Sequence, residues 1–266
     1  MDFKLRSLIY LLLCVVIIGV FADDVFLIST QTYYVKLTKD VRKCAAPACG
    51  GYFATIVNTD ADPVYVAYLE GPYIPEDAIE DYIVAGSFSR DDGFPRTFTI
   101  TETYRLLPID APTTREVKKY YIYRDNAAIE LNTDYSYPID SFTENYSTYV
   151  SHIQVDWLLG KIHGESVLCG SISYTTLNID KVYLRVPERS PVCQSTLDLL
   201  CLPGYVNVYT RDSYRCLHSD GCALAGICTY NIPICSPGYT LISFDSKPFG
   251  CPTYYCDPTF LLPVPI

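Results

Sequence analysis

The chain of 266 residues carries 20 Lys and Arg against 30 Asp and Glu, a formal net charge of −10, with 49% hydrophobic and 14% aromatic residues. An acidic excess of this size excludes nucleic acid and anionic membrane as the main partner, because neutralising phosphates needs clustered Lys and Arg. The small basic groupings (Lys36, Lys39, Arg42 and Lys43; Arg115, Lys118 and Lys119) read as solvated faces.

Residues 1–22 have the makeup of a secretory signal: Lys4 and Arg6, an apolar run from Leu8 to Ile18, then Val20 and Ala22 ahead of Asp23. The run is shorter than the ~20 apolar residues a membrane span needs. Cleavage after Ala22 removes two bases and one acid, leaving 18 against 29 and a net charge of −11. The expected product is secreted and has no stable membrane insertion. Cys14 leaves with the signal and 11 cysteines remain, which in an oxidising compartment implies disulfides with one thiol left over.

Two β modules are expected next, at 23–108 and 120–187, joined by the linker IDAPTTREVKK at 109–119. Four landmarks recur in order: TYYVK at 32–36 with KYYIY at 119–123, YVAYLE from Tyr65 with YVSHIQVD from Tyr149, IVAGSFS at 83–89 with VLCGSIS at 167–173, and ITETYRLLP at 100–108 with IDKVYLRVP at 179–187. Tyr, Val, Ile and Thr in alternation, broken by NTDADP, RDDGFP and NTDYSYP, point to antiparallel strands in a sandwich or barrel-like arrangement. The last strands fit less well. In the first copy Phe98, Ile100, Tyr104 and Leu106 share one parity, whereas Val182, Leu184 and Val186 oppose Ile179 and Tyr183. PEDAIEDY reads as one short helix, with Pro75 at its start and acids in the first turn.

From Glu188 to Ile266 the composition shifts to a small disulfide-rich irregular tail, with eight cysteines in 79 residues. Cys193, Cys201, Cys216 and Cys222 form one four-cysteine unit, and Cys228, Cys235, Cys251 and Cys256 a second. Both contain Cys-x-Pro-Gly-Tyr, at CLPGY and CSPGY. Each unit is too small for a core, so bridges must replace burial, at about 2–4 kcal/mol each. Metal is not expected: no pair has Cys-x2-Cys spacing and His218 stands alone. The units are loosely similar to disulfide-rich extracellular modules such as the epidermal-growth-factor-like class.

Candidate chemistry is sparse. His152, Asp156, His163, Ser166 and Cys169 are the best constellation, but HIQVDW reads as a strand with Ile153, Val155 and Trp157 inward, and HGESVLCG lacks a nucleophile elbow. Cys169 sits where Ala85 sits in the first copy, so a small buried residue is expected. Asn58, Asp60 and Asp62 supply oxygens at alternate positions, yet Pro63 and Leu69 stand where a calcium loop needs glycine and glutamate. A hairpin turn accounts for them. No catalytic residue, metal or cofactor is assigned. Asn145-Tyr146-Ser147 is a glycosylation sequon.

YYVKLTKDVRKCAAPACGGYFATIVN followed by YVAYLE resembles a family of uncharacterised domains in exported, largely bacterial proteins that share Arg-Lys-Cys-x-x-Pro-x-Cys-Gly-Gly-Tyr-Phe. The resemblance spans about residues 33–90 and implies an exported β domain with no assigned activity. Such domains would carry another cysteine pair near NTDADP. This chain lacks it, which implies a local Cys44 to Cys49 bridge. The expected function is a secreted, non-catalytic binding or matrix protein that recognises a glycan or protein. The alternatives are an inhibitor of a secreted hydrolase, with TRDSYR at 210–215 as bait, and then a secreted enzyme with a cleft at His152 or His163.

Overall fold

The computed structural model describes residues 31–89, 95–112, 118–187, 193, 199–229 and 231–261. The predicted signal lies outside the described residues, and Thr32–Ile266 forms one compact unit. The fold is mainly antiparallel β, with a disulfide-rich C-terminal region.

The same order of elements runs twice. β1 (Tyr33–Lys39), β2 (Tyr52–Ile56), β3 (Val64–Val66), β4 (Tyr68–Glu70), a 3-10 helical turn (Glu76–Asp81), β5 (Tyr82–Phe88) and β6 (Thr97–Leu106) come first. They are answered by β7 (Lys119–Arg124), β8 (Ala127–Glu130), β9 (Ser136–Pro138), β10 (Ser141–Glu144), two short helices α1 (Tyr146–Tyr149) and α2 (Val155–Ile162), β11 (Ser166–Ser173) and β12 (Thr176–Val186). All twelve strands make one sheet, ordered β3-β2-β1-β5-β6-β12-β11-β7-β8-β9, with β4 on β6 and β10 on β12 in parallel. The halves meet at β6–β12, where Tyr104 faces Arg185 and Leu106 faces Tyr183.

The register shows why two glycines recur. A Cβ on Gly86 would lie 2.1 Å from the Thr99 carbonyl oxygen, and one on Gly170 2.0 Å from that of Asn178. Beside each glycine the hairpin has a bulge, between Ala85 and Gly86 and between Cys169 and Gly170. One extra residue reverses the pleat. Ile100 therefore packs in the first module's own core while Tyr104 packs in a cluster shared by both halves, and Ile179 and Tyr183 part in the same way. The two last strands are thus buried alike, contrary to the expectation from parity.

Two landmark matches need correcting. Tyr34 and Tyr120 both oppose the residue before the glycine, Ala85 and Cys169, so the first strands align one residue away from the sequence match. The counterpart of YVAYLE is β9–β10, since β4 and β10 pair in parallel with equivalent stretches of β6 and β12. HIQVDW is not a strand: it enters α2, which buries Trp157, Leu158 and Ile162. Ile153, Trp157, Leu158 and Ile162 recur at helical spacing, and consecutive Trp-Leu-Leu breaks the alternation a half-buried strand requires. The expected helix at PEDAIEDY is a 3-10 turn with Ile79 buried.

The tail adds two hairpins, β13 (Tyr205–Arg211) with β14 (Leu217–Leu224), and β15 (Tyr239–Ser246) with β16 (Cys251–Pro258). The second docks on the repeat through Tyr239, Cys256 and Leu261, which join the core around Trp157. Tyr239 donates to the Pro108 carbonyl at 2.7 Å, and the Cys256 N–H to the His152 carbonyl at 2.9 Å.

Candidate functional site

Two asparagines close the seam between the halves. Asn58 and Asn132 follow β2 and β8 at equivalent places, each at positive φ (60° and 58°), which Asn tolerates better than most residues. The Asn58 amide donates to the carbonyls of Tyr120 (2.7 Å) and Leu131 (3.0 Å), while its oxygen accepts from the Tyr120 N–H (2.9 Å). Asn132 reciprocates, donating to the carbonyls of Tyr34 (2.8 Å) and Val57 (2.9 Å) and accepting from the Tyr34 N–H (2.8 Å). β1 and β7 have four strands between them along the sheet. In a flat sheet they would lie about 24 Å apart, so these bonds require the sheet to roll over on itself.

Inside the roll, Tyr34 packs on Tyr104 (ring centres 6.1 Å apart) and Tyr120 on Tyr183 (6.2 Å), the same pair twice. The surroundings differ. Tyr104 donates to Glu102, which Arg185 holds at 2.6 Å. In the second half Cys169 joins the same buried cluster as Tyr183, with Tyr120 packed against it, and the Lys36 ammonium lies 5.2 Å and 5.8 Å from the Tyr120 and Tyr183 ring centres. Burial raises the pKa of Cys169 and lowers that of Lys36. It also raises Tyr104, Tyr120 and Tyr183. Thiol and phenols are thereby held in their neutral forms, so this environment suits packing and opposes nucleophilic chemistry at Cys169.

The predicted constellation does not assemble. Cys169 belongs to the seam, whereas Leu168 beside it belongs to the core under α2 on the other face of β11. Ser166 is buried on that second face. Asp156 is exposed in the first turn of α2, and His163 ends the helix against the rings of Tyr123 (5.0 Å) and Phe142 (5.7 Å). Asn58 is fully engaged in the seam and cannot serve a calcium loop, while Asp60 and Asp62 are exposed. Asn145 lies between β10 and α1.

RKCAAPACGGYF, residues 42–53, forms a clip, and its residue types each have a place. Arg42 grips the buried Asp40 carboxylate (Nε to Oδ1 2.9 Å, Nη2 to Oδ2 2.9 Å) and lies 5.1 Å and 5.3 Å from the Phe53 and Tyr65 ring centres. The Arg42 contacts, helped by the Gly50 N–H, hold Asp40 at a pKa of about 2. Cys44 is bridged to Cys49. The Tyr65 hydroxyl donates to the Pro47 carbonyl at 2.9 Å. A Cβ on Gly51 would lie 2.2 Å from the Val66 carbonyl oxygen, so only glycine lets β3 come this close.

In the tail, first pairs with third and second with fourth cysteine in both units: Cys193–Cys216 and Cys201–Cys222, then Cys228–Cys251 and Cys235–Cys256. Each bridge ties the segment before a hairpin to its second strand or, at Cys216, to the residue just ahead of that strand. The segment 210–215 is anchored at Asp212 and Arg215, while Ser213 and Tyr214 at its tip are exposed. The Asp212 carbonyl accepts from Gln154, and Arg215 is 2% exposed, paired with Asp257 and lying over Trp157 (5.7 Å). What the tail does present is aliphatic surface: Leu199, Leu200, Leu202, Leu224, Ile227, Ile232 and Ile234 are exposed, with Tyr205, Tyr214 and Phe249. These exposed apolar side chains all belong to the disulfide-tied segment from Leu199 to Phe249.

Residues 33–63 match a family described as a domain of unknown function, DUF6748. Over 260 residues the chain is 28% identical to an uncharacterized protein of Dictyostelium discoideum, in an alignment spanning 88% of this chain and 90% of that one. No solved structure matches. The family match covers β1, the clip, β2 and Asn58, and neither likeness indicates an enzymatic family. The five disulfides fit an oxidising, extracellular compartment.

Proposed function

We propose that the protein is exported after loss of residues 1–22 and acts as an extracellular binding protein without chemistry of its own. Its stapled tail is the face that takes a partner. The observation that carries this reading is the aliphatic character of that face. Leucine and isoleucine dominate the exposed apolar residues there, and they bury well against another protein but cannot stack on sugar rings as tyrosine or tryptophan do. A protein is therefore favoured over a glycan. The buried Cys169 speaks against an enzyme built on that thiol.

The test uses the full secreted chain and the double variant Leu200→Asp with Ile234→Asp, both at exposed positions that leave the fold intact. Immobilised wild type is expected to retain a defined protein from extracellular fluid, and the double variant to lose it. Retention of a glycan that the two aspartates do not disturb would overturn the assignment.

A further inference from the structure

On the second module, the parallel pair β10–β12 and the hairpin β11–β12 enclose an open cleft of about 570 Å³ lined by Thr143, Asn145, Ser171, Ser173, Asn178 and Asp180 among others. Its size falls within the range of pockets that hold one small ligand. Hydroxyl and amide groups dominate it, and its carboxylate, Asp180, is paired with Lys118 at 3.2 Å. Such a lining offers hydrogen bonds without unbalanced charge, which suits a neutral, polyhydroxylated ring.

Asn145 occupies the cleft in an unusual state. An asparagine just ahead of a helix normally turns its side-chain oxygen onto an N–H of the first turn. Asn145 makes no such bond, and Glu144 Oε2 accepts from the Ser147 N–H instead, at 3.0 Å. Tyr146, fully buried, anchors the segment by donating to the Leu107 carbonyl at 3.0 Å, while Ser147 is exposed. Counting from the equivalent pairs Glu70 with Thr99 and Thr143 with Asn178, Pro72 stands where Asn145 stands, so the first copy has no amide there.

We propose that Asn145 carries an N-linked glycan and that the first N-acetylhexosamine residue of this glycan lies in the cleft. The inference rests on the reading of the chain as exported. In the attachment step, which the host transferase performs on the nascent chain, Asn145 Nδ2 attacks C1 of the sugar on a polyprenyl-diphosphate donor. The Nδ2–C1 bond forms, the C1–O bond breaks with its electron pair leaving on the diphosphate, and one amide proton passes to the transferase's base. Nothing is oxidised or reduced. The cleft then folds around the attached ring.

The full chain, expressed in eukaryotic cells and collected from the medium, tests this. Peptide-N-glycosidase releases the glycan and leaves Asp at 145, which mass spectrometry of that peptide detects. Release from the native protein is expected to be roughly tenfold slower than from denatured protein, the protection given by a local opening that costs about 1.4 kcal/mol. Ser173→Trp, at the exposed end of the cleft, is expected to keep the glycan and remove the protection. The wild-type comparison decides the question whether or not S173W is exported. Equal release rates from native and denatured wild type overturn the placement in the cleft. An exported chain unmodified at Asn145 overturns the inference and leaves export standing, whereas a chain retained in the cell without a glycan at Asn145 overturns both.

Discussion

Replacing Asn132 by alanine tests whether the seam holds the two halves together. The substitution removes three hydrogen bonds, of 2.8, 2.8 and 2.9 Å, and leaves the Tyr34 N–H without that acceptor at the closure of the roll. At about 0.5–1.5 kcal/mol for each bond, the loss is roughly 2–4 kcal/mol. Alanine must also adopt φ near +58°, which costs about 1 kcal/mol more. Because the site is only partly buried, water recovers some of this, and we expect about 3 kcal/mol in total. Asn132→Gly separates the two contributions, since it loses the same bonds without the backbone cost and should fall about 1 kcal/mol short of alanine. Denaturant unfolding followed by tryptophan fluorescence reads all three proteins. Asn58→Ala should behave similarly, and the double variant should cost less than the two singles added, because both clips close one seam. A loss below about 1 kcal/mol for N132A, with N58A and N132A strictly additive, would refute the closure argument.

Three further outcomes are expected. Replacing both Cys235 and Cys256 by serine opens a loop of separation 21 and should cost about 3 kcal/mol, roughly 1 kcal/mol more than the same change at Cys44 and Cys49 with separation 5; an equal or reversed order of denaturation midpoints would contradict the loop-entropy reading. Cys169 should resist iodoacetamide at pH 8 in the native state, and Cys169→Ala should cost below about 1 kcal/mol, since Ala85 fills the equivalent position; rapid labelling would place the thiol outside the seam. Tyr104, Tyr120, Tyr183 and Tyr146 have pKa values raised by burial, and Tyr121 is pushed up to about 12 by the same cause. The unfolded chain gives up these protons near pH 10, so their contribution to stability is complete below about pH 10 and is lost as pH rises toward the folded values. Urea midpoints should fall between pH 9 and pH 11, and an absorbance titration with all tyrosines in one phase and the fold retained would rule this out.

The β class, the tail's paired cysteine sets and the glycine steps were legible because each leaves a local mark: alternation, spacing, or a residue without a side chain. The bulges beside Gly86 and Gly170 were not, because one inserted residue changes parity without changing composition, and so the last strands looked mismatched when they are equivalent. The helix over Val155–Ile162 was hidden because Ile153 and Trp157, four residues apart, fit both periods, and the exposed Val155 between them completed an apparent alternation. The repeat Asn-Thr-Asp at 58–60 and 132–134 was visible as two turn signals, and its shared Asn was the available clue to the seam. Nothing local says that each asparagine bonds the other copy, since that depends on how far the sheet rolls.

What the copies keep and what they change divide along one line. Asn58 and Asn132, Gly86 and Gly170, Tyr34 and Tyr120, and Tyr104 and Tyr183 are retained, and all of them serve the shared sheet and its closure. The main differences lie in the segments that join the shared strands. The first copy spends the loop after β1 on the Arg42 clip, whereas the second turns β7 into β8 directly, with Arg124 facing Ala127. Between the fourth strand and the fifth, the first copy has a single 3-10 turn and the second has α1 and α2. That insertion supplies Gln154 and Trp157, the groups on which Asp212 and Arg215 of the tail rest. A tail of two stapled hairpins has little core of its own, so its orientation depends on this platform, and only the second copy provides one. The duplication therefore builds a closed scaffold from like parts, and the unlike parts fix where the tail's aliphatic face and the Asn145 cleft stand on it.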